Sequence, residues 1–465
     1  MRVILFLCSW TLLLLCNAFT QEGKSERVAK ETFIDRLDTA IVFQESIAIS
    51  PDCKKISYVA RGENRQYVVL QGEKQKAYDG IGTSGIIFSP DSKRNAYMAK
   101  EGDKFFVVVD GMEQNKYEGI GSDPAFSPNS KRVAYVVRDG DNQLVVLDGH
   151  ALKRYQGIGI GGPVFSSNSK RMAYIGKVGV KFLVVVDEKE GKLYDRIAVS
   201  SFAFSPNGLR TAYMAQNGVE LFCIVDGEEL KQFPVTRESV PIFSPNSKRY
   251  TYVATSSNKD FVVLDGKADK PYDMIAEKSI KFSPDSKRIA YVARDSSKWC
   301  VVVDGKKGKL YENIGINTFV FSPNSKRIAY VAMKGSERFI VVDGIEGKKH
   351  DAIPEGNPIF SQDSKRLAYI AQSKGKWRVV VDRIDQKPYE YIGSGTLSFS
   401  PDGKYVVYVG GDGAKRVVVV NGKEGNQYDV ILTHRGGKIL FDSPATFHYL
   451  ASKGNEIYLV EEQIR

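Results

Sequence analysis

A ten-residue phrase recurs along almost the whole chain at a nearly constant spacing. FSPDSKRNAY begins at Phe88, and close copies such as FSPNSKRVAY from Phe126 and FSPDSKRIAY from Phe282 follow it. Successive copies are 39 residues apart, with one step of 38 and a last step of 41. A period this constant predicts a repeat architecture, in which each copy is one unit that buries its apolar surface against its neighbours. The tyrosines that close the copies are Tyr58, Tyr97, Tyr135, Tyr174, Tyr213, Tyr252, Tyr291, Tyr330, Tyr369, Tyr408 and Tyr449.

Each copy carries the signals of four short β-strands. The first strand runs into FSP, and a tight turn follows because Pro fixes φ and the next Asp, Asn, Ser or Gly tolerates a left-handed conformation. The second strand is the RIAYVA type at residues 327–332, and the third is the VVVDG type at residues 301–305, where Asp-Gly marks a reversal. We predict a fourth strand with an aromatic ring near its start. The residues in this aromatic position are Tyr78, Tyr117, Tyr155, Tyr194, Phe233, Tyr272, Tyr311, His350, Tyr389 and Tyr428.

Four strands in about 40 residues is the size of a β-propeller blade. We therefore predict an all-β fold, a propeller of about eleven four-stranded blades. The last copy has only one strand after Tyr449, and a spare segment at residues 37–42 precedes the first copy, so we expect this N-terminal strand to join the last blade and close the ring. Two smaller propellers divided near residues 228–240 are the alternative, and a parallel β-helix is a second one.

The N-terminus resembles a secretory signal. An apolar run follows Arg2 and ends at Leu15, which is shorter than the roughly 20 residues of a spanning helix. We predict a signal peptide at residues 1–18 with cleavage before Phe19, a leader at 19–36 and the propeller at 37–465, with no integral membrane span after cleavage. Lipidation at Cys16 and an uncleaved anchor are the alternatives. The predicted location is periplasmic or extracellular.

Motifs for catalysis or cofactor binding are scarce. The chain has only 4 His and 5 Cys, which disfavours a zinc site, a His-based active site or a disulfide framework. The G-x-G-x-x-G matches that start at Gly80 and Gly157 lead into an FSP strand and not into a helix, so we interpret them as connections between strands. His350 is interpreted as a substitute aromatic, and His448 and His434 lie in the irregular last copy. We predict no catalytic, cofactor-binding or metal-binding residue and no cofactor.

Cationic residues are the chemical feature that repeats. The chain has a formal net charge of +11, and a Lys-Arg pair follows most FSP turns. In a closed ring these turns lie on one face, so they form a circle of cations. This circle is either a device for solubility and for protection against edge pairing, or a face that attracts acidic proteins, glycans or lipid headgroups. The candidate residues are Lys93, Arg94, Lys131, Arg132, Lys170, Arg171, Lys248, Arg249, Lys287, Arg288, Lys326, Arg327, Lys365 and Arg366.

The SPDSKRIAY phrase followed by a VVVDG strand resembles the WD-repeat-like β-propeller repeats of the TolB type. The resemblance is to a repeat and covers roughly residues 37–465. The resemblance implies a propeller. Our first functional hypothesis is an exported, non-enzymatic scaffold that binds a protein or an anionic envelope component. A propeller enzyme with a channel site for glycans or esters is one alternative, and a structural array without a defined ligand is another. Nucleic acid is not expected as a partner of an exported protein, and the loops on the opposite face are the other candidate binding surface.

Overall fold

The structure is a computed structural model that describes residues 27–465 except 39, 236–238, 357 and 434–436. It contains eleven antiparallel sheets, each with its strands in the order in which they occur along the chain. The exception is the first strand in chain order, β1 (Arg27–Arg36), which belongs to the last sheet. The predicted β-propeller of eleven four-stranded blades is confirmed. The predicted signal peptide lies outside the described residues.

The first strand of many blades is split into two short pieces that pair with the same second strand. Blades 1–3 contain β2 (Val42–Ile49), β3 (Ile56–Gly62), β4 (Arg65–Leu70) and β5 (Glu73–Tyr78); β6 (Gly80–Ile81), β7 (Ile87–Phe88), β8 (Asn95–Glu101), β9 (Lys104–Val109) and β10 (Met112–Glu113); and β11 (Gly119–Ile120), β12 (Ala125–Phe126), β13 (Val133–Asp139), β14 (Asn142–Leu147) and β15 (His150–Tyr155).

Blades 4–6 follow the same plan, with a short 3-10 turn at Val199–Ser201. They contain β16 (Gly157–Ile158), β17 (Val164–Phe165), β18 (Met172–Val178), β19 (Lys181–Val186) and β20 (Lys189–Glu190); β21 (Arg196–Ile197), β22 (Ala203–Phe204), β23 (Thr211–Asn217), β24 (Glu220–Val225) and β25 (Glu228–Val235); and β26 (Ile242–Phe243), β27 (Tyr250–Ser256), β28 (Lys259–Leu264) and β29 (Lys267–Ala268).

Blades 7–9 include a second 3-10 turn at Ile316–Thr318. Their strands are β30 (Met274–Phe282), β31 (Ile289–Asp295), β32 (Lys298–Val303) and β33 (Lys306–Lys307); β34 (Asn313–Ile314), β35 (Val320–Phe321), β36 (Ile328–Lys334), β37 (Glu337–Val342) and β38 (Ile345–His350); and β39 (Ile359–Phe360), β40 (Leu367–Ser373), β41 (Lys376–Val381) and β42 (Ile384–Asp385).

Blade 11 is the one blade that combines both ends of the described chain. Blades 10 and 11 contain β43 (Tyr391–Ile392), β44 (Ser398–Phe399), β45 (Val406–Gly411), β46 (Arg416–Val420) and β47 (Lys423–Tyr428); and β48 (Val430–Ile431), β49 (Leu440–Ser443), β50 (Thr446–Lys453) and β51 (Glu456–Ile464), with β1 as the fourth strand.

Ring closure uses a different segment from the predicted one. Strand β1 pairs antiparallel with β51 along its length, whereas residue 37 follows β1 and residue 42 already begins blade 1. The prediction for residues 37–42 was therefore wrong, and the propeller begins inside the segment assigned to the leader. The reason is that β1 has no VVVDG run or other mark of the repeat. Its equivalence shows only in contacts, because Tyr428 donates a hydrogen bond to Glu31 of β1 at 2.8 Å, just as Tyr389 donates to Glu424 at 2.8 Å in the blade before.

Hydrophobic clusters join each blade to the next one. The cluster between blades 5 and 6 packs Met214 and Cys223 against Tyr252 and Val263. It spans the stretch 228–240 at which two separate propellers would divide, so the two-propeller alternative is wrong. Another cluster joins blade 11 to blade 1 through Leu450, Ile457, Ile49 and Ile56. Since ring closure covers both apolar ends of the stack, the chain forms one continuous ring.

The aromatic residue of the fourth strand lies at the end of the strand. The prediction that it lies near the start was wrong. Tyr78 is the last residue of β5, and Tyr117 pairs with Phe105 after the short β10 has ended. The ring packs edge-on against the tyrosine of the next blade's second strand, as Tyr155 does on Tyr174 with 5.9 Å between centroids. These contacts make the tyrosines packing residues between blades.

The first strands lie closest to the ring axis. A Cβ added to Gly85 in blade 2 would be 2.6 Å from the carbonyl oxygen of Ser46 in blade 1, so backbones approach closely there. Fourth strands are bridged instead by long side chains, as Lys76 and Tyr78 reach Glu113 in the next blade. The turns between strands 1 and 2 and between strands 3 and 4 share one end of every blade, which we name the turn face. The other end is the loop face.

Candidate binding face of the propeller

The turn after FSP is fixed by hydrogen bonds within the turn and to the next blade. In blade 7, Ser283 Oγ donates to Asp285 Oδ1 at 2.6 Å and accepts from the Arg288 amide at 3.0 Å. The Asp285 amide donates to Ser325 Oγ of blade 8 at 2.9 Å, and Ser286 occupies the left-handed region at φ 64°. The hydrogen bond from Ser283 and the amide of Lys287 lower the pKa of Asp285. The turn therefore presents its next two residues in a fixed place.

The arginine of each Lys-Arg pair is a clamp within the molecule. Arg288 Nε donates to Asp304 Oδ2 at 2.9 Å, and its Nη1 donates to the carbonyl oxygens of Ser325 and Lys326 in blade 8. Its guanidinium also lies 5.6 Å from the centroid of Phe321. Asp304 offsets the positive charge, so the arginines add little to the field of the face. The same pairs are Arg94–Asp110, Arg132–Asp148, Arg171–Asp187, Arg210–Asp226, Arg249–Asp265, Arg327–Asp343 and Arg366–Asp382.

The sequence contains a signal for this clamp that our sequence analysis missed. The aspartate always follows the arginine by 16 residues. In the two FSP-type turns without arginine, at Lys55 and Tyr405, the residues 16 positions later are Gln71 and Asn421. Arginine and aspartate are thus present or absent together among the repeats of a single chain, as expected for two residues in contact.

In six of the seven Lys-Arg pairs, the lysine makes no ion pair with the described residues. Within the described part of the chain, no carboxylate oxygen lies within 4.0 Å of the ammonium groups of six exposed ring lysines, and Lys365 is 3.9 Å from Asp363 with 82% of its side chain exposed. Exposed ammonium groups at regular intervals attract anions over a distance of about 8–10 Å in physiological salt. The six lysines are Lys93, Lys131, Lys170, Lys248, Lys287 and Lys326.

The circle of lysines is interrupted twice. Blade 5 carries Leu209 at the lysine position, with 67% of the residue exposed, and the turn of blade 11 has a different sequence. Blade 10 contributes Lys404, which lies 3.4 Å from Asp402. The structure thus brings all fourteen predicted residues to the turn face but divides their roles, with arginines inside the fold and lysines outside it.

Two histidines are buried in the fold. His350 packs edge-on against Tyr369 with 5.7 Å between ring centroids, and burial lowers its pKa, as befits a substitute aromatic. His448 joins blade 11 to blade 1, because Nδ1 is 2.7 Å from Asp442 Oδ2 and Nε2 is 2.7 Å from the Asp52 carbonyl oxygen. No sequence motif indicated this bridge. His434 lies outside the described residues, among which no cluster of three or more metal-binding side chains occurs.

The loop face carries an apolar area at blades 4 and 5. Ile160, Val180 and Val219 are 88%, 83% and 96% exposed, and a cavity of about 580 Å³ lies nearby between Ile160 and Phe202. The G-x-G-x-x-G segments lie at this end of the blades, where Gly80 and Gly157 begin first strands. Both segments connect strands, as expected.

Comparisons with known proteins found similar solved structures. No protein-family model and no curated protein matches the chain. Similar solved structures include a eukaryotic initiation factor with 13% identity, a TM-score of 0.40 and coverage of 72% of this chain and 96% of that one. TolB from Acinetobacter baumannii has 15% identity, a TM-score of 0.26 and coverage of 71% and 76%. The dehydrogenase NirN has 13% identity, a TM-score of 0.31 and coverage of 71% and 72%.

These similarities concern the fold alone. The repeated four-stranded blade that the resemblance to TolB-type propellers implies is present in the sheets of this chain. None of the helical turns in the described ranges has the length and hydrophobicity needed to cross a bilayer. Function must be argued from the faces of this propeller.

Proposed function

We propose that the protein is an exported, non-enzymatic propeller scaffold that binds a protein or cell-envelope partner with anionic groups through the lysines of its turn face. The proposal rests on one observation, which is that the arginine of a Lys-Arg pair is bound within the fold while the lysine is exposed. Arg288 is held by Asp304 and by two carbonyl oxygens of the next blade, whereas Lys287 beside it is exposed. Solubility alone does not require lysines at the same rigid place in successive blades.

Rigid presentation is what makes this face suitable for binding. The turn before each lysine is fixed by its serine and by the next blade, so the lysine backbones keep their spacing when a partner arrives. Association then costs little ordering of the scaffold, and the fixed pattern of charge favours a partner with several anionic groups.

The test reverses the charge of turn-face lysines and leaves the arginine–aspartate pairs unchanged. Lys287→Glu combined with Lys326→Glu changes the face without touching an arginine, and Lys298→Glu combined with Lys376→Glu on the loop face is the matched control. Binding to components captured from the exported fraction, and to polyglutamate as a defined polyanion, is measured from about 50 to about 300 mM NaCl. We expect the turn-face variant to lose most binding and most salt dependence, while the control retains both.

Equal binding by the two variants would contradict the proposal. Hydrolysis of glycan or ester substrates by the purified protein would replace it with the channel-enzyme alternative.

A further inference from the structure

A groove on the turn face between blades 8 and 9 departs from the repeat. Its volume is about 400 Å³, within the range of about 300–1,000 Å³ for ligand pockets. Its floor is apolar, with Ile340, Val342 and Leu367, and it ends at the ring of Tyr369. Since most of the ring repeats one design, an arginine that occurs at only one of the equivalent turn positions indicates a local function.

The space for the groove is left by a glycine. At some interfaces a polar side chain from the fourth strand lies beside the glycine of the next blade's Asp-Gly turn. A Cβ on Gly149 would be 3.3 Å from Gln114 Oε1, and a Cβ on Gly422 would be 3.2 Å from Gln386 Oε1. The residue of blade 8 that corresponds to Gln114 is Gly347, which has no side chain to fill this space, and blades 4, 7 and 10 share a glycine at this position.

What sets this interface apart is a cation in the space that the glycine leaves. Blade 9 has Arg383 where most blades have the glycine of the Asp-Gly turn, and Arg383 holds φ at 72°. A side chain in this left-handed region costs on the order of 1 kcal/mol relative to glycine. Arg383 is exposed and lines the groove together with Tyr369.

The charge balance of the groove leaves one cation, Arg383, without a counter-charge, and a second, Lys365, 3.9 Å from Asp363. Lys348 donates to Asp385 at 2.6 Å, Glu346 is paired with Lys309 at 2.6 Å, and Asp382 is paired with Arg366. Arg383 makes no ion pair with the residues that the structure describes, and Lys365 lies well exposed on the rim. A ligand that fits therefore combines a carboxylate with an apolar group.

The wall of the groove favours a peptide as this ligand. Residues 345–348 belong to β38, the outermost strand of the blade 8 sheet, so its outer edge has no strand partner among the described segments. An extended peptide can form main-chain hydrogen bonds with such an edge. Ile345 and Ile384, which are 60% and 67% exposed, flank the site and widen its apolar surface.

We propose that this groove binds an extended peptide segment of the partner, with a carboxylate between Arg383 and Lys365 and an adjacent apolar side chain on the floor formed by Ile340, Val342 and Leu367. The inference deepens the proposed function and rests on it, since the groove opens on the same face. The lysines attract the partner, and the groove selects its sequence.

The main test variant restores the glycine that most blades have at this turn position. Arg383→Gly removes the cation and relieves the backbone, so we expect a folded protein that is at least as stable. The matched control is Glu188→Gly, because Glu188 in blade 4 is the other non-glycine at this turn position, with φ at 64°. The probe is a labelled octapeptide with two aspartates flanking a Leu-Phe pair, together with versions that carry Asn for Asp or Ser for Leu-Phe.

Fluorescence polarisation should show saturable binding of the parent octapeptide to the native protein. We expect about tenfold weaker binding for Arg383→Gly and for each altered peptide, and unchanged binding for Glu188→Gly. Absence of binding at about 1 mM protein, or equal affinity of Arg383→Gly and native protein, would overturn the groove assignment. Arg383-dependent binding to phosphatidylglycerol vesicles without peptide binding would assign the groove to lipid and would also overturn it.

The two proposals fail separately. If Lys287→Glu with Lys326→Glu leaves partner binding intact but Arg383→Gly abolishes octapeptide binding, the lysine circle is wrong and the groove stands. The reverse result removes the groove and keeps the circle.

Discussion

At the residue scale, the arginine and the lysine of each Lys-Arg pair have different roles. Arg288 satisfies a carboxylate in its own blade and two carbonyl oxygens in the next blade, and it covers Phe321. Lys287 precedes it by one residue and has no such role. The two neighbouring cations thus differ in function because the turn directs the arginine against protein groups and the lysine into solvent.

These different roles predict that alanine at position 288 lowers the free energy of unfolding more than alanine at position 287 does. Arg288→Ala removes charge-assisted hydrogen bonds between blades and should lower the free energy of unfolding by about 1–2 kcal/mol, since the pair is only partly buried. Lys287→Ala should change it by less than about 0.5 kcal/mol. Denaturant unfolding of the two variants measures the difference, and equal losses would show that the arginine is not a clamp.

His350 predicts a pH dependence of stability. Burial lowers its pKa below the ordinary value of 6.5, so at mildly acidic pH the unfolded chain binds more protons than the folded protein. The stability that the neutral ring contributes is complete above pH 6.5 and falls below it, by at most about 1.4 kcal/mol per pH unit. His350→Tyr restores the aromatic of the other blades and should remove this loss. Thermal unfolding at pH 7.5 and pH 5 compares the two proteins, and an equal pH response would contradict the assignment.

At the element scale, the sequence predicted the parts of the blade that repeat and missed the part that does not. The Ser-Pro turn and the β-branched third strand were predictable because Pro, Asp-Gly and Val runs act locally. Strand β1 was not, because its pairing with β51 joins residues more than 400 positions apart and leaves no local mark. The His448 bridge and the groove beside Arg383 likewise depend on which blades become neighbours.

A buried ion pair fastens β1 to the last blade. Arg27 donates to Glu462 at 2.7 Å, Tyr449 donates to the same carboxylate at 2.5 Å, and the Glu462 side chain is fully buried. Glu462→Gln leaves a largely buried guanidinium without its counter-charge and should lower the free energy of unfolding by about 3 kcal/mol. Arg27→Met combined with Glu462→Gln should cost less than Glu462→Gln alone. Additive losses in denaturant unfolding would show that the two residues do not form a pair.

At the scale of the whole molecule, the closed ring places the equivalent turns of successive blades on one face. Each blade alone would expose both sides of its sheet, and the clusters between blades cover them all the way round, including the seam between blades 11 and 1. The lysines of the turn face and the groove between blades 8 and 9 take their arrangement from this closure. The proposed binding role therefore depends on a closed ring.

A disulfide between β1 and β51 tests the closure of the ring most directly. Lys30 lies opposite Glu461, with 3.3 Å between their charged atoms, and both side chains are exposed. The described native cysteines are buried, so Lys30→Cys with Glu461→Cys offers one accessible pair. Mild oxidation should give a monomer in which peptide mapping finds residues 30 and 461 linked, whereas Ile41→Cys with Glu461→Cys should give no such link. Cross-linking through residue 41 and not through residue 30 would contradict the account.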